Sequence, residues 1–188
     1  MNVPSTWENP VSVEIYKDEL LRLSRFLSEI SGEKLSYEKL KMSFVNRKNS
    51  SFDDKKGKRI ALMGGPETRQ DSGLIKILED NSANIALYAT EQGEISQPDI
   101  DLENLEKDPV AELANAYFSN IPDIAKRPNT QFYEKAKRMI KERGIEAIII
   151  RIYPWCDLWH AEVQRIKEFF DLPVLHLTVD INVLPEND

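Results

Sequence analysis

Cys156, the only cysteine among 188 residues, and His160 four positions later are the residues whose types and spacing best suit chemistry. The thiol follows the apolar run Ile148-Ile149-Ile150-Arg151-Ile152 and the turn Tyr153-Pro154-Trp155, which predicts a buried strand running into a helix. Open α/β sheets bind ligands at that edge, the carboxyl ends of the strands. A thiol at a helix start can be held as thiolate, the form that ligates metals and attacks electrophiles. Three readings of Cys156 stay open: a buried packing residue, a metal or cluster ligand, and a nucleophile served by His160 one helical turn on. A zinc site would need further ligands, and none is arranged for it.

Other residues are weaker candidates. Gly64-Gly65, before Pro66, could turn backbone amides toward a phosphate, although neither a G-x-G-x-x-G fingerprint nor a P-loop lysine is present. The competing reading of the two glycines is a tight strand-to-helix turn. Trp155 and Trp159 bracket the cysteine and could wall a planar ligand, or could serve a core or subunit contact. His176 alternates with apolar neighbours and reads as a structural histidine. The carboxylates are scattered without an acid–base pair, so no residue is assigned as catalytic.

The elements that must position these residues follow from periodicity. Tyr16, Leu20, Leu23, Leu27 and Ile30 recur at steps of four and three, predicting an amphipathic helix over 12–31 that Gly32 ends. Ser36 can cap a second helix with Tyr37, Leu40 and Phe44 inward. The polar stretch 46–58, with the basic run Lys55-Lys56-Gly57-Lys58-Arg59, reads as a linker. Short apolar runs at 60–63, 85–89, 147–152 and 173–179 then alternate with helices. Asp108-Pro109, Asn129 and Asp157 are the expected starts of three of these helices, and Gly144 is an expected stop. The polar segment 90–107 reads as a long loop.

Continuous apolar strands interleaved with helices predict a doubly wound α/β fold with a four-stranded parallel sheet in the order 2-1-3-4. The expected organisation is a helical appendage over 1–50 and a Rossmann- or flavodoxin-like domain over 57–188. In that order strands one and three are neighbours whose connections leave in opposite directions. The loops at Gly64-Gly65-Pro66 and Pro154-Trp155-Cys156 would flank one crevice.

Composition sets outer bounds. The chain is 41 % hydrophobic and carries a net charge of −7 from 32 acidic and 25 basic side chains. A general nucleic-acid binder would present a basic face, so nucleic acid is not an expected partner. No apolar stretch has the length of a membrane span, and the start at Met1-Asn2-Val3-Pro4 has no basic head or apolar run. A cytoplasmic protein without an internal disulfide is expected.

The stretch Glu146-Ala147-Ile148-Ile149-Ile150 through Cys156-Asp157-Leu158-Trp159, followed by Leu172-Pro173-Val174-Leu175-His176-Leu177-Thr178-Val179-Asp180, resembles the 2-hydroxyacyl-CoA dehydratase and benzoyl-CoA reductase subunit family. Arg59-Ile60-Ala61-Leu62-Met63-Gly64-Gly65-Pro66 is similar to the first strand and turn of that family's carboxyl-terminal domain, and the helical pair is similar to the segment before it. The resemblance implies a [4Fe-4S] cluster held by three cysteines per subunit, paired subunits, an acyl-CoA substrate and a separate ATP-dependent activator. Cys156 stands where the carboxyl-terminal domain supplies its ligand. The family's other two cysteines belong to an amino-terminal cluster-binding domain, which is expected to be absent. One protein thiol does not hold a cluster.

Two functions follow as expectations. In the first the chain is a half-length relative, a non-catalytic binding or assembly module that uses the crevice or the helical pair for a second chain or for another copy of itself. In the alternative it is one part of an iron–sulfur acyl-CoA dehydratase or reductase of anaerobic metabolism, with Cys156 as a ligand to a cluster shared with another chain. Gly64, Gly65 and Trp155 are the expected cofactor-binding residues, and Cys156 the expected metal ligand.

Overall fold

A computed structural model describes residues 3–6, 9–34, 36–49, 56–68 and 71–179. Met1, Asn2, Lys55 and Asp180, all named in the sequence reading, lie outside the described residues. The chain divides into two compact units, residues 1–52 with 98–121 and residues 53–97 with 122–188.

The second unit is the α/β layer predicted above. Its strands are β1 (Lys58–Gly64), β2 (Ala83–Thr90), β3 (Ala147–Ile152) and β4 (Val174–Thr178), all parallel, in the order β2-β1-β3-β4. Two-residue alternation sends Ile60 and Leu62 to one face and Ala61 and Met63 to the other. The first face is covered by α3 (Asp71–Asp80) through Leu74 and Leu78. The second carries α6 (Thr130–Glu142) through Phe132, Tyr133, Ala136 and Met139, and α7 (Asp157–Phe169) through Trp159 and Ile166. Covering both faces is why the strands are apolar throughout. The sheet reverses its direction of growth between β1 and β3, which places the switch point where the sequence predicted it.

The first unit is helical. Its helices are α1 (Pro10–Ser31), α2 (Tyr37–Asn49), α4 (Leu102–Lys107) and α5 (Pro109–Ala114), the last continued by a π turn over Asn115–Ser119. Asn9 accepts the Val11 amide at 2.9 Å to cap α1, and Gly32 ends it in the left-handed region at φ 70°. Tyr16 stacks on Phe118 with centroids 4.8 Å apart. Tyr37, Leu40 and Phe44 pack around Ile100, Leu105 and Ala116.

Two local expectations are corrected. The segment 90–107 is not a bare loop, because Asp101 caps α4 through the Glu103 and Asn104 amides and Leu105 is wholly buried. The N-cap of α7 is Cys156 and not Asp157, which is the first helical residue. Asn129 is the N-cap residue of α6, as expected, although its side chain makes no capping bond: its oxygen accepts from Arg165 at 2.7 Å and its NH2 donates to Glu162 at 3.0 Å. Among the described residues, no helix is long and apolar enough to cross a membrane.

Candidate functional site

The site is built from the carboxyl ends of β1, β2 and β3 in the α/β unit. Gly64 pairs in register with Arg151 and sits at φ 138°, a region that only glycine enters readily. A Cβ there would fall 1.9 Å from the Arg151 carbonyl oxygen, so the close approach of β1 to β3 itself requires glycine. Gly65 is different. A Cβ on it would meet only the Glu91 carboxylate and the Trp159 indole, at 3.8 Å.

These neighbours hold one another. Trp159 Nε1 donates to Glu91 Oε1 at 3.2 Å, and Thr90 Oγ1 donates to Glu67 Oε1. The Glu67 amide donates to Gln92 Oε1 at 2.7 Å. Beside them a cavity of about 10 Å³, lined by Thr90, Glu91, Ser96, Asp123, Phe132 and Trp159, has room for one water molecule.

Arg151 is the charged centre of the β3 end. It is 1 % exposed and its Nη2 lies 2.5 Å from Asp71 Oδ2 at the start of α3. The same nitrogen donates to the Pro66 carbonyl and approaches the Tyr153 hydroxyl at 3.2 Å. Asp71 Oδ2 also accepts the Thr68 amide at 2.6 Å. One buried guanidinium therefore fastens the turn after β1 to the end of β3. Arg151 Nη1 and Asp71 Oδ1 make no hydrogen bond among the described residues. The Arg151 guanidinium also lies 4.5 Å from the Tyr153 ring centroid. Tyr153 in turn stacks on Trp155, with planes 4° apart and centroids 5.7 Å apart. Trp155 is 58 % exposed, so this ladder of three side chains runs from the core to the surface.

Cys156 follows directly. It is half-buried, packs beside the core and carries a free thiol. Its amide donates to the Tyr153 carbonyl at 3.0 Å, and its carbonyl accepts the His160 amide at 3.1 Å, so the backbone around it is held as the first turn of α7. His160 is turned elsewhere: its Nε2 lies 3.1 Å from the Tyr153 carbonyl. A carbonyl only accepts, so Nε2 carries the proton in that contact. His160 also meets His176 edge to face, with ring centroids 5.5 Å apart. His176 Nε2 is buried without a partner among the described residues. Burial, then the His160 and Lys167 charges, push the His176 pKa down.

The structure thus brings Gly64, Gly65, Trp155 and Cys156 to one edge of the sheet. The tryptophan closest to Gly65 is Trp159, not Trp155. Sequence reasoning missed Arg151, Asp71 and Glu91. Arg151 had a signal, as the one charge inside an isoleucine run; Asp71 and Glu91 had none, because their roles come from contacts 80 and 68 positions away.

A cluster or metal is the group to test against these residues. Among the described residues, no three His, Cys, Asp or Glu side chains gather as a metal-holding group. A [4Fe-4S] cluster takes one outside ligand at each iron, and this sequence offers a single thiol. The residues present do not fit a cluster held by these 188 residues alone.

Comparison with curated proteins returns no match. Comparison with protein families matches residues 44–184 to the family described as 2-hydroxyglutaryl-CoA dehydratase, D-component. The match spans β1 to β4 and the whole edge just described. The description names a component of an enzyme, in keeping with a partner chain. With most of its length and all four strands inside the match, the chain belongs to the 2-hydroxyglutaryl-CoA dehydratase D-component family.

Proposed function

We propose that this chain is a non-catalytic binding or assembly module of a dehydratase-type complex, which offers the Gly64-Gly65 and Trp155 edge of its sheet, or its helical unit, to a second chain. The observation that carries this reading is the engagement of the polar groups around the thiol. His160 Nε2 is spent on the Tyr153 carbonyl, Glu91 on Trp159, and Arg151 on Asp71 and Pro66. Among the described residues no base faces a nucleophile, which general acid–base or covalent catalysis would need. Anaerobic reconstitution of the purified chain with iron and sulfide tests it. The expected result is a spectrum indistinguishable from that of Cys156→Ala. A stoichiometric charge-transfer band on the chain alone would overturn the reading.

The thiol itself favours a second reading. Cys156 is a free, half-buried thiol at the N-cap of the 13-residue α7, beside the carboxyl end of β3. In that reading it supplies one ligand of an iron–sulfur site, and another polypeptide supplies the rest. An ATP-dependent activator and an acyl-CoA substrate belong to this reading alone. Its test is the same reconstitution on a complex copurified with the chain, in which Cys156→Ala must remove absorption that the native complex shows.

A further inference from the structure

In the α/β unit, where α6 meets α7, two arginines share one carboxylate. The Glu162 side chain, on α7, is only 6 % exposed. Its Oε1 accepts Asn129 Nδ2 at 3.0 Å and pairs with Arg127 Nη2 at 2.9 Å, and its Oε2 accepts the Tyr133 hydroxyl at 2.6 Å. Arg165, one turn further along α7, finds those places taken. Its Nη1 stands 3.8 Å from Oε2 and donates instead to Asn129 Oδ1 at 2.7 Å. Among the described residues no other carboxylate pairs with either arginine, so the cluster keeps one positive charge on a chain whose net charge is −7.

Both guanidiniums face water with donors to spare. The side chains of Arg127 and Arg165 are 52 % and 49 % exposed. A guanidinium carries five N–H donors. Arg127 commits Nη1 to the Ile124 carbonyl at 2.7 Å and Nη2 to Glu162, and Arg165 commits Nη1 to Asn129. Each fork is also held in place: Arg127 at both terminal nitrogens, and Arg165 with its guanidinium 4.3 Å from the centroid of the Tyr133 ring, which Glu162 fixes through the hydroxyl. Side chains fixed beforehand give up less rotamer freedom when a ligand arrives. Guanidinium forks match the oxygens of carboxylates and phosphates. One fork satisfies a planar carboxylate, whereas two forks from different parts of the chain suit a tetrahedral group. We propose that Arg127 and Arg165 form a binding site for a phosphate-type dianion, either the free ion or the terminal phosphoryl group of a monoester, on the solvent side of Glu162. The site uses none of the residues assigned to the assembly reading and does not rest on it.

Titration of the 15N-labelled full chain with inorganic phosphate to about 20 mM, at an ionic strength held constant with sodium chloride, follows the arginine Nε–Hε and backbone amide signals. The native chain is expected to show a saturable shift with a Kd of about 1 mM. Arg127→Gln with Arg165→Gln is expected to lose that shift and keep the native far-ultraviolet circular dichroism. Arg127→Lys with Arg165→Lys, which keeps the charges without the forks, is expected to bind about 3–10-fold more weakly. Arg22→Gln, which alters an exposed arginine on α1, is expected to bind as the native chain does. A parallel titration with glycerol 3-phosphate separates the sources: tighter binding than inorganic phosphate points to an ester, weaker binding to the free ion, and both support the site. The absence of a saturable shift with either ligand overturns the proposal. So does a shift that survives Arg127→Gln with Arg165→Gln, a lysine pair that binds as well as the native chain, or a shift lost to Arg22→Gln. Should the glutamine pair lose its native circular dichroism, the lysine pair, which retains a cation beside Glu162, decides by itself.

Discussion

Arg151 and Asp71 set the electrostatics of the sheet edge. A buried pair contributes little over an apolar replacement of the same shape, but removing one partner strands a charge. Asp71→Ala is expected to lose about 3–5 kcal/mol in urea unfolding, and pairing it with Arg151→Met is expected to restore part of that loss. A double variant no more stable than Asp71→Ala would show that the two do not act as a pair. His176 makes a pH-dependent contribution. Its folded pKa lies below its ordinary value of about 6.5, so the unfolded chain binds the proton more readily. The stability associated with neutral His176 is present above about pH 6.5 and is lost as the pH falls through the folded pKa. The native chain should therefore lose more stability than His176→Leu between about pH 7.5 and 5, and parallel curves would refute this. Cys156, Gly64, Gly65 and Trp155 could be picked out in the sequence by type and punctuation. What each one faces could not, since Glu91 and Asp71 reach the edge from distant parts of the chain.

Among the elements, β1 and its turn show how similar residues acquire different reasons. Gly64-Gly65 reads in sequence as a uniform pair. Gly64 is required by its φ and by the Arg151 carbonyl, whereas Gly65 has room for a methyl group. Gly64→Ala is expected to cost at least about 2 kcal/mol, and Gly65→Ala to lie within about 0.5 kcal/mol of the native chain, by thermal or urea unfolding. Equal effects would mean that the strand contact is not what selects glycine. The long or strongly patterned elements were legible: α1 through its four–three spacing and Gly32, β3 through its isoleucines, α5 through Asp108-Pro109. The six-residue α4 was not, because two leucines make no measurable period and its place depends on Leu105 being buried by other helices. Asn129 stands at the N-cap of α6 as the sequence indicates, but its side-chain oxygen accepts from Arg165 at 2.7 Å and not from the helix amides, a contact 36 positions away that local sequence does not show.

At the scale of the whole molecule, residues 98–121 belong with the amino-terminal helices although they lie between β2 and β3 in sequence. A linear reading assigns a segment to its neighbours, and packing assigns it to whatever buries its apolar face. The family match begins inside α2 and runs past β4, so it too crosses the division. The sequence by itself determined the strand order, the edge at which Cys156 emerges and the family, because these rest on periodicity, chain direction and local motif. Tertiary structure alone decided which groups surround the thiol. His160 turns to a backbone carbonyl, Arg151 locks onto Asp71 and the apolar stripe of α1 is left half exposed, since each outcome depends on residues that only folding brings within reach.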